Sequence, residues 1–202
     1  MTAGGSAPPP TKPSPSGSGD GAQVIPHGMF GMVLFVLAEG MLFAGLISAF
    51  EIMHSAAMVW PPPDQPRLPI EATAFNTLVL LASGYFLYAA HRAFHRGDRG
   101  NMLRPMTISL GLGVFFVLFQ GYEWVQLINE GLTLTSSTLG GFFYLMVGVH
   151  ALHALGAIGL LGYATSQLRK GWLTPSLFGA TEVFWFFVVA VWPILYAVVY
   201  LR

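Results

Sequence analysis

The chain of 202 residues contains no cysteine, which excludes disulfides, thiolate metal sites and cysteine redox chemistry. Charge is nearly as scarce. Asp, Glu, Lys and Arg together make up 9% of residues, against roughly 25% in a soluble domain. No Gly-rich phosphate loop, nucleophile elbow or Walker motif occurs, and no basic patch suits nucleic acid. What is abundant is apolar: hydrophobic residues make up 54% and the mean hydropathy is +0.62. This is the composition of an integral membrane protein.

Residues 1–25 read as a separate tail rich in Pro, Gly and Ser, with almost nothing to bury and so expected to be disordered. It lacks the basic start and short apolar core of a signal peptide, so the first apolar run is expected to stay in the protein and target it. Five apolar runs follow in a domain spanning 26–202, at about 27–52, 73–94, 103–128, 139–165 and 177–201. Each exceeds the roughly 18 residues that read as a transmembrane helix. Their apolar character is continuous and does not alternate, which excludes a β-barrel. The expected fold is therefore all-α, an integral membrane bundle of five transmembrane helices.

Orientation follows from the loops. Lys12, Arg92, Arg96, Arg99, Arg104, Arg169 and Lys170, seven of the nine basic residues, fall on one side, leaving Arg67 and Arg202 on the other. The positive-inside rule places the N-terminus in the cytoplasm and the C-terminus outside. Trp60, Trp124, Trp172 and Tyr200 sit near span ends, where interfacial aromatics belong. Gly148, Gly156 and Gly159, like Gly111 and Gly113, read as points of close helix contact.

Away from the span ends ionisable groups are few: Glu39, Glu123, His150 and His153, with Glu182 near the start of the fifth span. Glu39 lies at the middle of the first run, where a carboxylate costs roughly 2.5–3.5 kcal/mol unless it is neutral or partnered. It marks either a functional site or a buried contact between helices. His150 and His153 share one face of the fourth span, and Gln120 and Glu123 share one face of the third. Glu39, His150 and His153 could together form a metal site or a proton relay. The leading reading of the histidines is hydrogen bonding between helices, with a proton- or lipid-related role second and a metal third. Di-metal bundles repeat Glu-x-x-His, and none occurs within these span limits. Haem would need axial ligands on facing helices, not two histidines three apart on one.

Five patterns in order carry a resemblance to subunit III of the haem–copper oxidases, the cytochrome c oxidase subunit III family in its short five-helix bacterial form. They are GMVLFVLAEGMLFAGLISAF around Glu39; Trp60-Pro61-Pro62; Asn76-Thr77 with LLASG and His91; FVLFQGYEW with Gln120 and Glu123; and GFFYLMVGVHALHALGAIGL with His150 and His153, before an aromatic last helix. Larger members carry two further N-terminal helices and a V-shaped cleft that holds lipid. In the last span the family often has a His and an Asp where this chain has Phe186 and Val189.

The resemblance implies a subunit with no catalytic centre, metal or cofactor of its own. Haem and copper would lie in its partners, the catalytic haem–copper subunit I and the copper-binding subunit II. The complex would be a proton-pumping terminal oxidase that reduces oxygen, set in the bacterial cytoplasmic (inner) membrane. There this chain would support proton uptake and protect the catalytic subunit, with phospholipid bound, and a larger respiratory supercomplex is a further partner allowed. Glu39, Glu123, His150 and His153 carry over as proton-related or lipid-facing residues, and His150 with Glu123 as a link between the third and fourth helices. Alternative readings are an accessory subunit of a quinol oxidase or nitric oxide reductase and, from another class, a stand-alone proton-coupled transporter.

Overall fold

In the computed structural model the described residues are 27–56, 68–135 and 138–201. They form α1 (His27–Ala56), α2 (Ile70–His95), α3 (Leu103–Asn129), α4 (Thr138–Arg169) and α5 (Pro175–Tyr200), with no strand among them. Each has 26 to 32 residues, about 39–48 Å of helix at 1.5 Å per residue. That exceeds a hydrocarbon layer of about 30 Å. All five are long and apolar enough to cross a membrane. The tail of residues 1–25 lies outside the described residues, as do Trp60 and Pro61.

Three helices end by the same local chemistry. Gly97, Gly131 and Gly171 follow α2, α3 and α4 with φ of 73°, 96° and 76°, a region open to glycine at no steric cost. After each, the next amide donates five residues back: Asp98 to Ala93 at 3.0 Å, Leu132 to Leu127 at 2.9 Å and Trp172 to Gln167 at 2.9 Å. These bonds satisfy carbonyls that the helix end leaves open. The start of α5 is capped by Thr174, whose hydroxyl accepts from the Leu177 amide at 3.2 Å, with Pro175 in the first turn where its missing N–H is harmless.

Burial divides the helices. On α3 the buried positions are Met106, Ser109, Gly113, Phe116, Gln120, Glu123 and Leu127, alternating by three and four. The buried face of α2 runs Thr73, Asn76, Leu80, Ser83, Leu87 and Ala90 at the same rhythm. Two such seams, antiparallel across a short turn, mesh along their length. α5 packs against α1, α2 and α4, and its large rings Phe178, Trp185 and Trp192 are fully enclosed. The first helix is peripheral, with only Phe43 and Phe50 buried among its described side chains.

α1 extends to Ala56, one turn beyond the expected limit. Glu51 and His54 therefore lie on it three apart, a Glu-x-x-His that the shorter bound had left out. The close-contact reading of the glycines holds at some positions only. A Cβ on Gly113 would run into the Trp185 ring, whereas Gly111 and Gly159 have nothing within 4 Å; Gly148 and Gly156 meet only the rings of Trp124 and Phe184, at 3.9 and 3.6 Å. Gly84 is a contact the sequence did not single out. A Cβ there would stand 3.1 Å from Val189, so α2 and α5 meet closely at an apolar contact.

Candidate functional site

Glu39 on α1 faces His153 on α4, with a carboxylate oxygen 3.1 Å from Nε2. Phe35 and Phe43 from α1 and Phe184 and Phe187 from α5 surround the imidazole, their centroids 5.5–6.3 Å away. The tautomer follows from the other ring nitrogen. His153 Nδ1 lies 2.7 Å from the Val149 carbonyl oxygen, which only accepts, so Nδ1 carries a proton. An attractive contact at Nε2 then needs one further proton between it and Glu39. Whether that proton sits on the acid or on the ring, the pair is neutral overall. A neutral pair removes the large cost of a lone carboxylate at this depth. The side chains are 21% and 11% exposed, so the pair stands at the edge of the bundle, and the oxygen approaches off the line of a well-formed hydrogen bond.

His150 does not join them. It is 1% exposed and packs at 5.1 Å against the Trp192 ring, with the Phe43 and Phe116 rings edge-on at 6.2 and 6.4 Å. Neither of its nitrogens has a hydrogen-bond partner among the described residues. It borders a cavity of about 170 Å³, lined also by Gln120, Trp124 and Trp192.

A second polar region ties α2 to α3 and α5. Thr73 Oγ1 lies 3.1 and 3.3 Å from the two carboxyl oxygens of Glu123 and 2.9 Å from the Pro69 carbonyl. Asn76 Nδ2 donates to the Phe116 carbonyl at 3.1 Å and to Gln120 Oε1 at 3.4 Å. Gln120 Nε2 donates to the Tyr200 hydroxyl at 3.3 Å. Trp192 Nε1 donates to Thr77 Oγ1 at 2.9 Å, and Thr77 in turn donates to Thr73 O at 2.7 Å. Further along the seam Ser109 Oγ donates to Ser83 O at 2.8 Å.

This corrects two expectations. Glu123 joins α3 to α2 through Thr73, not to α4 through His150, because its position on the three-four seam turns it toward α2. Tyr200 is no interfacial anchor; at 4% exposure its hydroxyl ends the Gln120 network inside the bundle. Trp172, 71% exposed, does stand at the surface.

His91 and Glu182 form a third pair, with His91 Nδ1 2.9 and 3.0 Å from the two carboxyl oxygens. His95 stacks edge-on to His91 at 4.3 Å. Sequence reasoning named both His91 and Glu182 without joining them, since they lie 91 positions apart on α2 and α5. Thr73, Trp192 and Tyr200 were not foreseen as members of a network. The available signal was the run of small hydroxyl and amide residues at three-four spacing on α2. Among the described residues no three His, Cys, Asp or Glu side chains converge as a metal-ligand set.

Fold and sites together define a polytopic helical membrane protein whose few inward polar groups join its helices pairwise. A family model described as cytochrome c oxidase subunit III matches residues 15–202. The cytochrome c oxidase subunit 3 of Synechocystis sp. is 32% identical over 177 residues, 86% of this chain and 75% of that protein. Those of Equus caballus and Mammuthus primigenius are each 34% identical, over 85% and 88% of this chain and 68% and 70% of their own lengths. The chain belongs to the cytochrome c oxidase subunit III family.

Proposed function

We propose that the chain is the non-catalytic third subunit of a proton-pumping cytochrome c oxidase in a bacterial inner membrane, packed against a haem–copper subunit I with a copper-binding subunit II alongside. Haem and copper belong to those partners, and phospholipid occupies part of this subunit's surface. The N-terminus lies in the cytoplasm, on the same side as the arginine-rich α2–α3 turn. The observation that carries this reading is the family match across 15–202, on five helices of membrane-spanning length.

Within that role the neutral Glu39–His153 pair is the proton-related element. A carboxyl and an imidazole sharing one proton among phenylalanine rings hold it without placing net charge in lipid. Glu123, buried and hydrogen-bonded, and His150, enclosed by rings, keep the bundle in the shape its partners recognise. In the whole oxidase, Glu39→Gln is expected to leave haem content intact and to shorten the enzyme's lifetime during turnover. Loss of haem instead would make Glu39 an assembly element.

Tagging the chain, purifying it from its native membrane in mild detergent and recording a reduced-minus-oxidised haem spectrum with mass spectrometry of co-purifying chains tests the proposal. A haem-bearing large subunit and a copper subunit are expected. Recovery of a quinol oxidase or nitric oxide reductase core would reassign the complex. A colourless chain without partners would overturn the reading and favour a stand-alone transporter.

A further inference from the structure

The turn between α2 and α3 carries four arginines, Arg92, Arg96, Arg99 and Arg104, against one carboxylate, Asp98, a formal excess of three positive charges with the histidines neutral. Arg99 Nη1 donates to the Leu173 carbonyl at 3.4 Å, and Arg104, in the first turn of α3, is exposed. Arg92 and Arg96, exposed like the other two, are the pair that lines one groove, and neither guanidinium has a carboxylate within ion-pair distance among the described residues.

Arg92 in the last turn of α2 and Arg96 at its C-cap stand one turn apart and border this groove of about 280 Å³, lined from this helix end by Ala89, Arg92 and Arg96 and across the turn by Asp98, Asn101 and Pro105. Asp98, on the same lining, is held by Asn101, from the backbone amide at 3.2 Å and from the side-chain amide, and offsets one of the two charges without pairing with either guanidinium. The groove thus has two unpaired guanidinium forks against one carboxylate, with Ala89, Ala93 and Pro105 as its apolar lining.

Its depth says which anion fits. α2 has 26 residues, about 39 Å, so roughly one turn at each end projects beyond a 30 Å hydrocarbon layer. Arg92 and Arg96 fall in that end turn, at headgroup level. Toward the membrane centre the same face of α2 continues with Tyr85, Leu81 and Leu78, which are 69%, 43% and 65% exposed, an apolar track for an acyl chain.

We propose that this groove binds the phosphodiester headgroup of an anionic phospholipid, with Arg92 and Arg96 as its ligands and an acyl chain lying along α2. Guanidinium forks match phosphate oxygens in pairs, and a basic residue near the membrane surface draws anionic lipid. The inference rests on the membrane reading of the chain and not on its oxidase partners.

The test titrates the purified full chain, with whatever subunits accompany it, with phosphatidylglycerol in mixed micelles and reads bound lipid by native mass spectrometry. Phosphatidylcholine serves as the zwitterionic control and inorganic phosphate as the soluble anion. Arg92→Gln and Arg96→Gln are each expected to weaken phosphatidylglycerol binding about fivefold, and the double variant more. Arg104→Gln, which removes equal charge outside the groove, should change it less than twofold. R92K/R96K, which keeps the charge and loses the paired donors, guards against misfolding and should bind more tightly than R92Q/R96Q and more weakly than the unaltered chain. Equal losses from Arg104→Gln, equal binding of phosphatidylcholine, or displacement of the lipid by millimolar inorganic phosphate would each overturn the proposal, the last by assigning the groove to a soluble anion. Absence of haem-bearing partners from the preparation would count against the oxidase role and leave this readout unaffected.

Discussion

The α2–α3 seam and the α1–α4 contact handle buried polarity in opposite ways. Along the seam, Thr73, Asn76, Thr77, Gln120, Glu123, Trp192 and Tyr200 share hydrogen bonds among three helices, so no single bond carries the arrangement. Between α1 and α4, one acid meets one imidazole within a wall of phenylalanines, and α1 has little else buried to hold it. A distributed network spreads its stabilisation over several bonds, so the loss of one member removes a fraction of it. The loss of one member of an isolated pair removes all of it, and the survivor remains alone in an apolar setting.

Breaking the pair from the histidine side should give the largest effect. His153→Leu leaves Glu39 as a neutral acid without a partner among phenylalanine rings and lipid, and is expected to cost about 3 kcal/mol, the upper end for a buried polar group left unpaired, read as a lowered melting temperature of the purified complex. Glu39→Gln should cost far less, since the amide still donates to His153 Nε2. Equal losses from the two changes would mean that no shared proton holds the contact. Gly113→Leu ranks next: its side chain must displace the enclosed Trp185 ring, an overpacking cost of about 1–3 kcal/mol, whereas Gly111→Leu, with open space around it, should be close to neutral in the same assay.

Within the seam the expected losses are smaller. Asn76→Leu removes the donor to both the Phe116 carbonyl and Gln120, and interhelical bonds of this kind in membranes average about 0.6 and reach about 1.7 kcal/mol. Thr73→Val should fall at or below that average, with Glu123 still inside the network. A double-mutant cycle between Thr73 and Glu123 sharpens the contrast: its coupling should be smaller than that between Glu39 and His153. A reversed order would show that the seam, not the pair, depends on individual bonds.

Much of the architecture was legible in the chain. The five helices emerge where apolar runs exceed bilayer length, and the stops at Gly97, Gly131 and Gly171 fall where glycine permits a positive φ. The candidate site was legible as a list of residues. Glu39 stood out because an acid amid GMVLFVLA is costly, and His153 because it shares a helix face with His150. Which histidine the acid would meet was not legible: the two lie one turn apart, and a modest rotation of α4 exchanges them. Glu123 shows the same limit, since its partner proved to be Thr73, 50 positions away.

What the sequence alone determined is the number of membrane helices, and the reason is that insertion sums residue by residue along each segment. The bilayer leaves a backbone no choice but to bond to itself. Only the tertiary structure decided that Glu39 pairs with His153, that Glu123 turns to α2, and that Glu182 reaches His91. Those choices depend on the rotation of each helix about its axis. That rotation is set by contacts such as Trp185 against Gly113, Val189 against Gly84, Met29 against Gly179 and Phe184 against Gly156, contacts between helices that no single segment contains.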